Sequence, residues 1–310
     1  SDLPPDTQAA LRSLQDAVRT VPAPEGAEAR ERYWVTAARA WENVRDRDLQ
    51  AECLLQLGAL RYTELQSWDR ASEAITAALR LFEVENDGKA VADAALLLGM
   101  TELERERTRR VPESRSDGAP SLRLLQRARR GFQDLNLPVS AADALNNRGI
   151  KRYYGGDSKN ALTDFSRAAD EFQRARAIDD RNGALANLAA MAVDLGDYRR
   201  ALQAFESQLE SMPKTATHLR ASALQNGALA LSIMGETERS LDWYLQSIDI
   251  ARRLGDPDLE ARGLSGLGVA HLQFGQSALA VPHLRAAVDL LQRPGKRDRL
   301  GAVLTHLGNA

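Results

Sequence analysis

The chain has 310 residues, 41 Lys+Arg against 43 Asp+Glu, 44% hydrophobic and 5% aromatic residues. A formal net charge of -2 gives no global attraction to phosphate backbones or anionic bilayers, so neither nucleic acid nor a membrane is an expected partner. The lone Cys53 and the scattered His218, His271, His283 and His306 exclude a disulfide framework and multi-cysteine zinc sites, and no stretch approaches the roughly 20 apolar residues of a bilayer span.

In chain order, the start SDLPPD is acidic and proline-bearing and lacks a signal-peptide core. Trp34, Ala37 and Trp41 match Ile75, Ala78 and Phe82 at a 41-residue offset, so residues 28–45 read as a second helix, with 6–20 as its partner across VPAPEGAE. Residues 1–45 are therefore expected to be N-terminal helices with a degenerate first repeat. From residue 46 to 310 the chain divides into units near 46–86, 87–137, 138–177, 178–214, 215–255 and 256–295, with an incomplete unit at 296–310.

The pairs Gly156-Asp157, Gly196-Asp197, Gly235-Glu236 and Gly275-Gln276 recur at intervals of 40, 39 and 40. Five residues after each glycine comes a small residue (Ala161, Ala201, Ser240, Ala280), and four further on a large one (Phe165, Phe205, Tyr244, Leu284). Twelve residues before each small residue lies another: Gly149, Ala189, Ala228 and Gly268. Apolar spacing of three and four between these markers predicts amphipathic helices, each glycine pair stopping one helix and opening a tight turn. Small residues let two antiparallel backbones approach, and the large residue fills the remaining groove. A single pair cannot bury both of its faces, so stacked pairs must share a core.

Segments such as LGDYRRALQAF (195–205) and GGDSKNALTDF (155–165) resemble the tetratricopeptide repeat. The period of about 40 is similar to the subgroup found in kinesin light chain and in bacterial Rap and PlcR peptide-pheromone receptors. The resemblance implies an all-α, right-handed α-solenoid of about seven antiparallel helix pairs. Two departures stand out. Between Gly99 and Ser121 the gap is 22 residues rather than twelve, so the 105–119 region, with its Pro, Ser, Gly and mixed charges, is expected to be a solvated loop. The leucine before the first-helix small residue becomes Arg148 and Gly227 in two units, where packing must differ.

No HExxH, P-loop, CxxC or G-x-S-x-G stands in the sequence, so no catalytic residue, metal site or cofactor is expected. GLSGLG (263–268) occupies the same slot as ALNNRG and ALANLA and is explained by helix packing. The histidines lack the i, i+4 pairing of a metal site and read as surface or interhelix residues.

One polar series is not explained by packing. Asn147, Asn187 and Asn226 recur at 40 and 39 residues, each two positions before the first-helix small residue; the series breaks at Gly266 and resumes as His306. Their slot is expected on the concave side, where an amide offers donors and an acceptor to an extended peptide backbone. In the related peptide-binding repeats such an asparagine ladder holds the ligand backbone, and the resemblance implies the same here. The bland reading has these amides bridging helices or water. Asp143 and Ser222, one turn before the ladder, and Tyr154 and Asp194, two turns after it, are candidate selectivity positions. Tyr153 with Tyr154 reads as an apolar wall or an interhelix pair, and Arg148 and Arg152 as partners of acidic residues on adjacent helices.

The expected function is a non-catalytic scaffold binding a protein or peptide partner. The alternative is a regulatory or substrate-recruiting arm of a larger bacterial enzyme, since such Arg/Ala-rich arrays resemble those preceding caspase-like CHAT protease domains. A third reading is an assembly module. The chain starts at Ser1 without methionine and stops at Leu307-Gly308, where a second helix is due, which reads as a fragment or as an end covered by a partner, self-association included. The cytoplasm is the expected compartment, with the periplasm left open because a native N-terminus is missing on this reading.

Overall fold

The computed structural model describes residues 25–109, 119–215, 217–292 and 297–308. The suggested helix 6–20 and Arg110, Glu113, Arg115 and Asp117 of the inserted segment lie outside the described residues.

Fourteen helices and no strand occur among the described residues: α1 (Ala27–Val44), α2 (Arg47–Thr63), α3 (Trp68–Glu85), α4 (Gly88–Thr108), α5 (Pro120–Asp134), α6 (Pro138–Tyr154), α7 (Ser158–Arg174), α8 (Ile178–Asp194), α9 (Tyr198–Ser211), α10 (His218–Ile233), α11 (Thr237–Leu254), α12 (Pro257–Gln273), α13 (Ser277–Leu291) and α14 (Arg297–Gly308). The architecture is an all-α repeat solenoid. Two compact units divide it, residues 1–157 and 158–310, the division falling between α6 and α7. Within each unit helices pack on their sequence neighbours, α2 on α3 and α4 on α5 in the first, α8 on α9, α10 on α11 and α12 on α13 in the second.

The recurring glycines end the first helices as the spacing predicts. Gly156, Gly196, Gly235 and Gly275 take φ of 80°, 73°, 79° and 72°, a left-handed conformation that a Cβ penalises. At each, the next residue's N–H returns to a carbonyl five residues earlier, as Asp197 N–H does to Ala192 O at 2.8 Å and Gln276 N–H to His271 O at 2.8 Å. The reversed chain then enters its second helix, and in α9 the Asp197 carboxylate accepts from Arg200 N–H (3.2 Å).

The small-residue rule has a visible cause. A Cβ on Gly268 would stand 2.6 Å from Leu284 Cγ, and one on Gly99 would stand 2.9 Å from Leu125 Cγ. The large residue one turn into each second helix thus fills the place of the missing side chain. Ser240 keeps the close approach and adds a hydrogen bond, its hydroxyl donating to Ala228 O at 2.8 Å. Where the usual leucine is replaced by Gly227, the Trp243 ring fills the vacated volume, so a Cβ there would collide with it. Buried amides fasten neighbouring helices: Gln208 Nε2 donates to Asn182 O (2.6 Å) and Gln225 Nε2 to Leu259 O (2.8 Å).

The inserted segment begins later than expected. Residues 105–108 extend α4, which reaches 21 residues, rather than opening a loop. Favourable pairing holds this extra turn: Arg105 Nε meets Asp69 at 2.7 Å and its Nη1 meets Glu102 at 2.5 Å. Arg109 also meets Asp69 at 2.7 Å. Ala119 cannot cap α5, and Glu106 does so from α4, accepting from Ser121 Oγ at 2.9 Å and Ser121 N–H at 3.4 Å. The same carboxylate pairs with Lys151 of α6, whose side chain is 3% exposed.

Candidate functional site

The first helices carry the sequence-predicted positions. In the second unit, Ala186, Ala190, Val193 and Asp194 of α8 and Leu219, Ser222, Asn226 and Leu229 of α10 surround a cavity of about 270 Å³. Phe205, Gln208 and Ala223 complete its lining. The register explains the convergence: residues four apart share a helix face, so Ser222, Asn226 and Leu229 point one way along α10, as Ala186, Ala190 and Asp194 do along α8. Three of the named candidates therefore meet, Asp194, Ser222 and Asn226.

Asn226 is exposed and has no hydrogen-bond partner among the described residues. Its amide stands at the rim of this cavity, with its donors and acceptor available to a ligand. Asn187 is half-buried and takes part in an interaction. Asp194 ends α8 on the exposed side, adding negative charge where the helix carbonyls already point.

The corresponding position in the first unit is arranged differently. Asn147 is 9% exposed, and its Nδ2 donates to Asp143 O (3.0 Å) and to Asp143 Oδ1 (3.1 Å), one turn back on α6. Its donor is thereby occupied within its own helix. Tyr154 is 54% exposed, 5.2 Å from the Tyr153 ring at an interplanar angle of 46°, with the Arg107 guanidinium 5.7 Å from its ring centroid. That arginine pairs with Glu104 at 3.0 Å, so Tyr154 displays a face flanked by charge.

The break in the asparagine series has a steric reason. At Gly266 the Tyr244 ring fills the space a side chain would take, and a Cβ there would collide with the ring. Tyr244 is 4% exposed, and burial pushes its phenol up to about 12. His306, where the series resumes, is half-buried on α14.

One pairing is absent from the sequence expectations. His271 of α12 and His283 of α13 stack with ring centroids 5.5 Å apart and planes 8° from parallel. His271 is buried, with Nδ1 2.7 Å from Gln276 Oε1. The antiparallel register that seats Leu284 on Gly268 also brings a residue one turn after Gly268 against the one before Leu284. That register, rather than i, i+4 spacing, is the signal that finds the pair. Among the described residues no group of three or more His, Cys, Asp or Glu side chains could hold a metal ion. No described helix is long and apolar enough to cross a membrane. The Cys53 thiol, buried among α1 and α2, is pushed up to about 11 by burial, which makes it a poor nucleophile.

Comparison with known proteins agrees with this architecture. The tetratricopeptide repeat profile matches residues 219–293, which span α10 to α13. No curated protein matches the chain. Among solved structures, the chain is similar to a signal transduction ATPase with numerous domains and a tetratricopeptide repeat sensor from Pyrococcus horikoshii (TM-score 0.68, 16% identity, 97% of this chain and 43% of that one). It is also similar to the apo form of RapI (TM-score 0.59, 13% identity, 91% and 86%). A third is YrrB, described as a TPR protein with an unusual peptide-binding site (TM-score 0.51, 20% identity, 77% and 100%). The profile match lies on the same glycine-stopped helix pairs that recur on both sides of it, so residues 219–293 match the tetratricopeptide repeat and the chain as a whole has the fold of such repeat solenoids.

Proposed function

We propose that the protein is an interaction scaffold whose first-helix face binds an extended peptide or partner segment. The observation that carries this reading is the cavity between α8 and α10, with the partner-free amide of Asn226 on its rim beside Ser222 and Asp194. An amide of this kind pairs with both the C=O and the N–H of a peptide unit, while Ala186, Ala190, Val193 and Leu229 offer apolar surface to an alternate side chain. Helices fixed in advance cost the receptor little ordering on binding. Asn187 extends the site along α8. Asn147, Asp143 and Tyr154 hold the equivalent register on α6, where a ligand would compete for the bond between Asn147 and Asp143. His306 holds it on α14.

The test is selection of peptides from a random displayed library, followed by calorimetric titration of the winners. Asn226→Ala is expected to weaken binding about tenfold, the scale of one lost hydrogen bond to a desolvated partner, with an unchanged circular dichroism spectrum. Ala190→Glu, which fills the cavity with charge, is expected to abolish it. Selected peptides that bind both variants as tightly as the parent chain would sink the reading.

A second reading has one observation in its favour. The solved structure with the highest TM-score quoted above is a signal transduction ATPase with numerous domains and a tetratricopeptide repeat sensor, and the likeness covers 43% of that chain. On this reading the array recruits or senses a partner for a larger bacterial enzyme, a CHAT-type protease included. Sequencing the gene beyond Ala310 decides it: a stop codon within one further helix excludes a fused C-terminal enzyme domain.

A further inference from the structure

Repetition supplies an internal reference, because each groove between successive second helices can be compared with the next one at the same register. The helices α9 and α11 lie over α10, and α7 and α9 lie over α8. In the α9/α11 groove, Arg239 stands one residue before the small Ser240 and bonds Glu206 across the groove at 2.6 Å. It also bonds Glu236 on its own side at 3.1 Å and lies 5.9 Å from the Trp243 ring centroid. The indole packs into the space that Gly227 leaves. That groove is closed by its own carboxylate and its own aromatic ring.

The α7/α9 groove has the same arginine but no carboxylate across from it, and the usual leucine, Leu188, stands in the slot of Gly227. Arg200 stands one residue before Ala201, and its own-side partner Asp197 is present at 3.6 Å. At the position of Glu206 stands Ser166, and at the position of Trp243 stands Ala204. The result is a cavity of about 430 Å³, within the range of small-ligand sites. Leu185 and Leu188 of α8 line it, and Arg167 adds a second guanidinium, exposed and without a partner among the described residues. No carboxylate lines the cavity.

We propose that this groove binds a partner segment presenting a carboxylate next to an aromatic side chain. The ligand supplies from outside the carboxylate that Glu206 supplies to Arg239 within the chain one repeat later. Its carboxylate bonds the guanidinium groups of Arg200 and Arg167, which offer planar, charge-assisted donor pairs. Its ring lies against Leu185 and Leu188, which line the cavity. The site lies on the second helices and is separate from the first-helix face around Asn226.

The probe is the blocked dipeptide acetyl-Trp-Glu-amide, titrated into the full chain while backbone amide shifts are followed by NMR. Saturable shifts are expected at residues 162–167, 185–188 and 200–207 in the millimolar range suited to so small a ligand. The analogue acetyl-Trp-Gln-amide should bind about tenfold more weakly, because it offers no charge to the arginines. Ser166 is exposed, so Ser166→Glu should fold normally, pair with Arg200 as Glu206 pairs with Arg239, and exclude the peptide. Arg200→Ala should lose binding as well, and Asn226→Ala should not. Equal affinity for the Glu and Gln peptides, unchanged binding by Ser166→Glu, or no saturable shift in these residues would overturn the proposal. Tighter saturation by free indole-3-acetate than by the dipeptide would overturn the assignment to a protein segment.

Discussion

Single positions in this repeat are legible when their job is steric. Gly58, Gly99 and Gly268 each stand where a second-helix Ile or Leu enters the first helix, and at Gly268 the twelve-residue offset to Ala280 already pointed to that contact. Titratable positions are less legible, because their behaviour depends on what the other helices bring. The His283 imidazole is held below its ordinary range by burial, by His271 facing it from α12 and by Arg252 from α11. A histidine whose folded-state value is lowered stays neutral in the native protein and takes up a proton more readily when unfolded. Its neutral form therefore costs nothing above about pH 6.5, and stability falls as the pH drops below the unfolded value. Thermal melts from pH 7.5 to pH 5 should show His283→Asn losing less melting temperature than the parent chain; parallel losses would contradict this account.

At the scale of elements, helix ends explain more than helix interiors. Asp46, Asp87, Asp197, Thr217 and Asp256 cap their helices through side-chain oxygens, and Asp197 follows one of the recurring glycines. Helix α5 has no side-chain cap from its own N-cap residue, Ala119. Its cap comes from Glu106, on the far side of the inserted segment, and the same carboxylate neutralises the buried Lys151. One acid thus joins α4, α5 and α6. Glu106→Leu should destabilise the first unit by about 3–5 kcal/mol in urea unfolding, since it strands a buried ammonium and uncaps a helix. Adding Lys151→Met should recover most of that loss by removing the stranded charge. If the double variant is no more stable than the single one, the charge is not what Glu106 serves. The sequence marked the insertion but not this clasp, because Glu106 and Lys151 are 45 residues apart and share no repeat register.

For the whole molecule, a stack held by neighbour contacts responds locally to damage. Gly268→Val should force Leu284 out of its seat between α12 and α13, an overpacking cost of about 1–3 kcal/mol. Hydrogen exchange should then accelerate within residues 257–291 and remain unchanged in α2 to α4. Faster exchange throughout both units would mean that the chain unfolds as one cooperative body instead. The division between the two compact units falls after Asp157, between the first and second helices of a single repeat, at one of the recurring glycine turns.

By itself the sequence determined the repeat: its period, its helix stops at Gly156, Gly196, Gly235 and Gly275, and the small-to-large contacts that pair its helices. Those features are local or recur at fixed spacing, so a one-dimensional pattern contains them. Only the tertiary structure decided which amides are available. Asn147 and Asn226 hold the same repeat slot, yet the first has Asp143 one turn back to receive its donor, and the second has Ser222 there and keeps no hydrogen-bond partner. It likewise decided that Gly266 ends the series under the Tyr244 ring, and that one groove is filled by Trp243 and Glu206 where the preceding groove is open. The physical reason is common to all three. Hydrogen bonding and steric filling depend on the side chains that neighbouring helices present, and those vary from repeat to repeat while the backbone register stays the same.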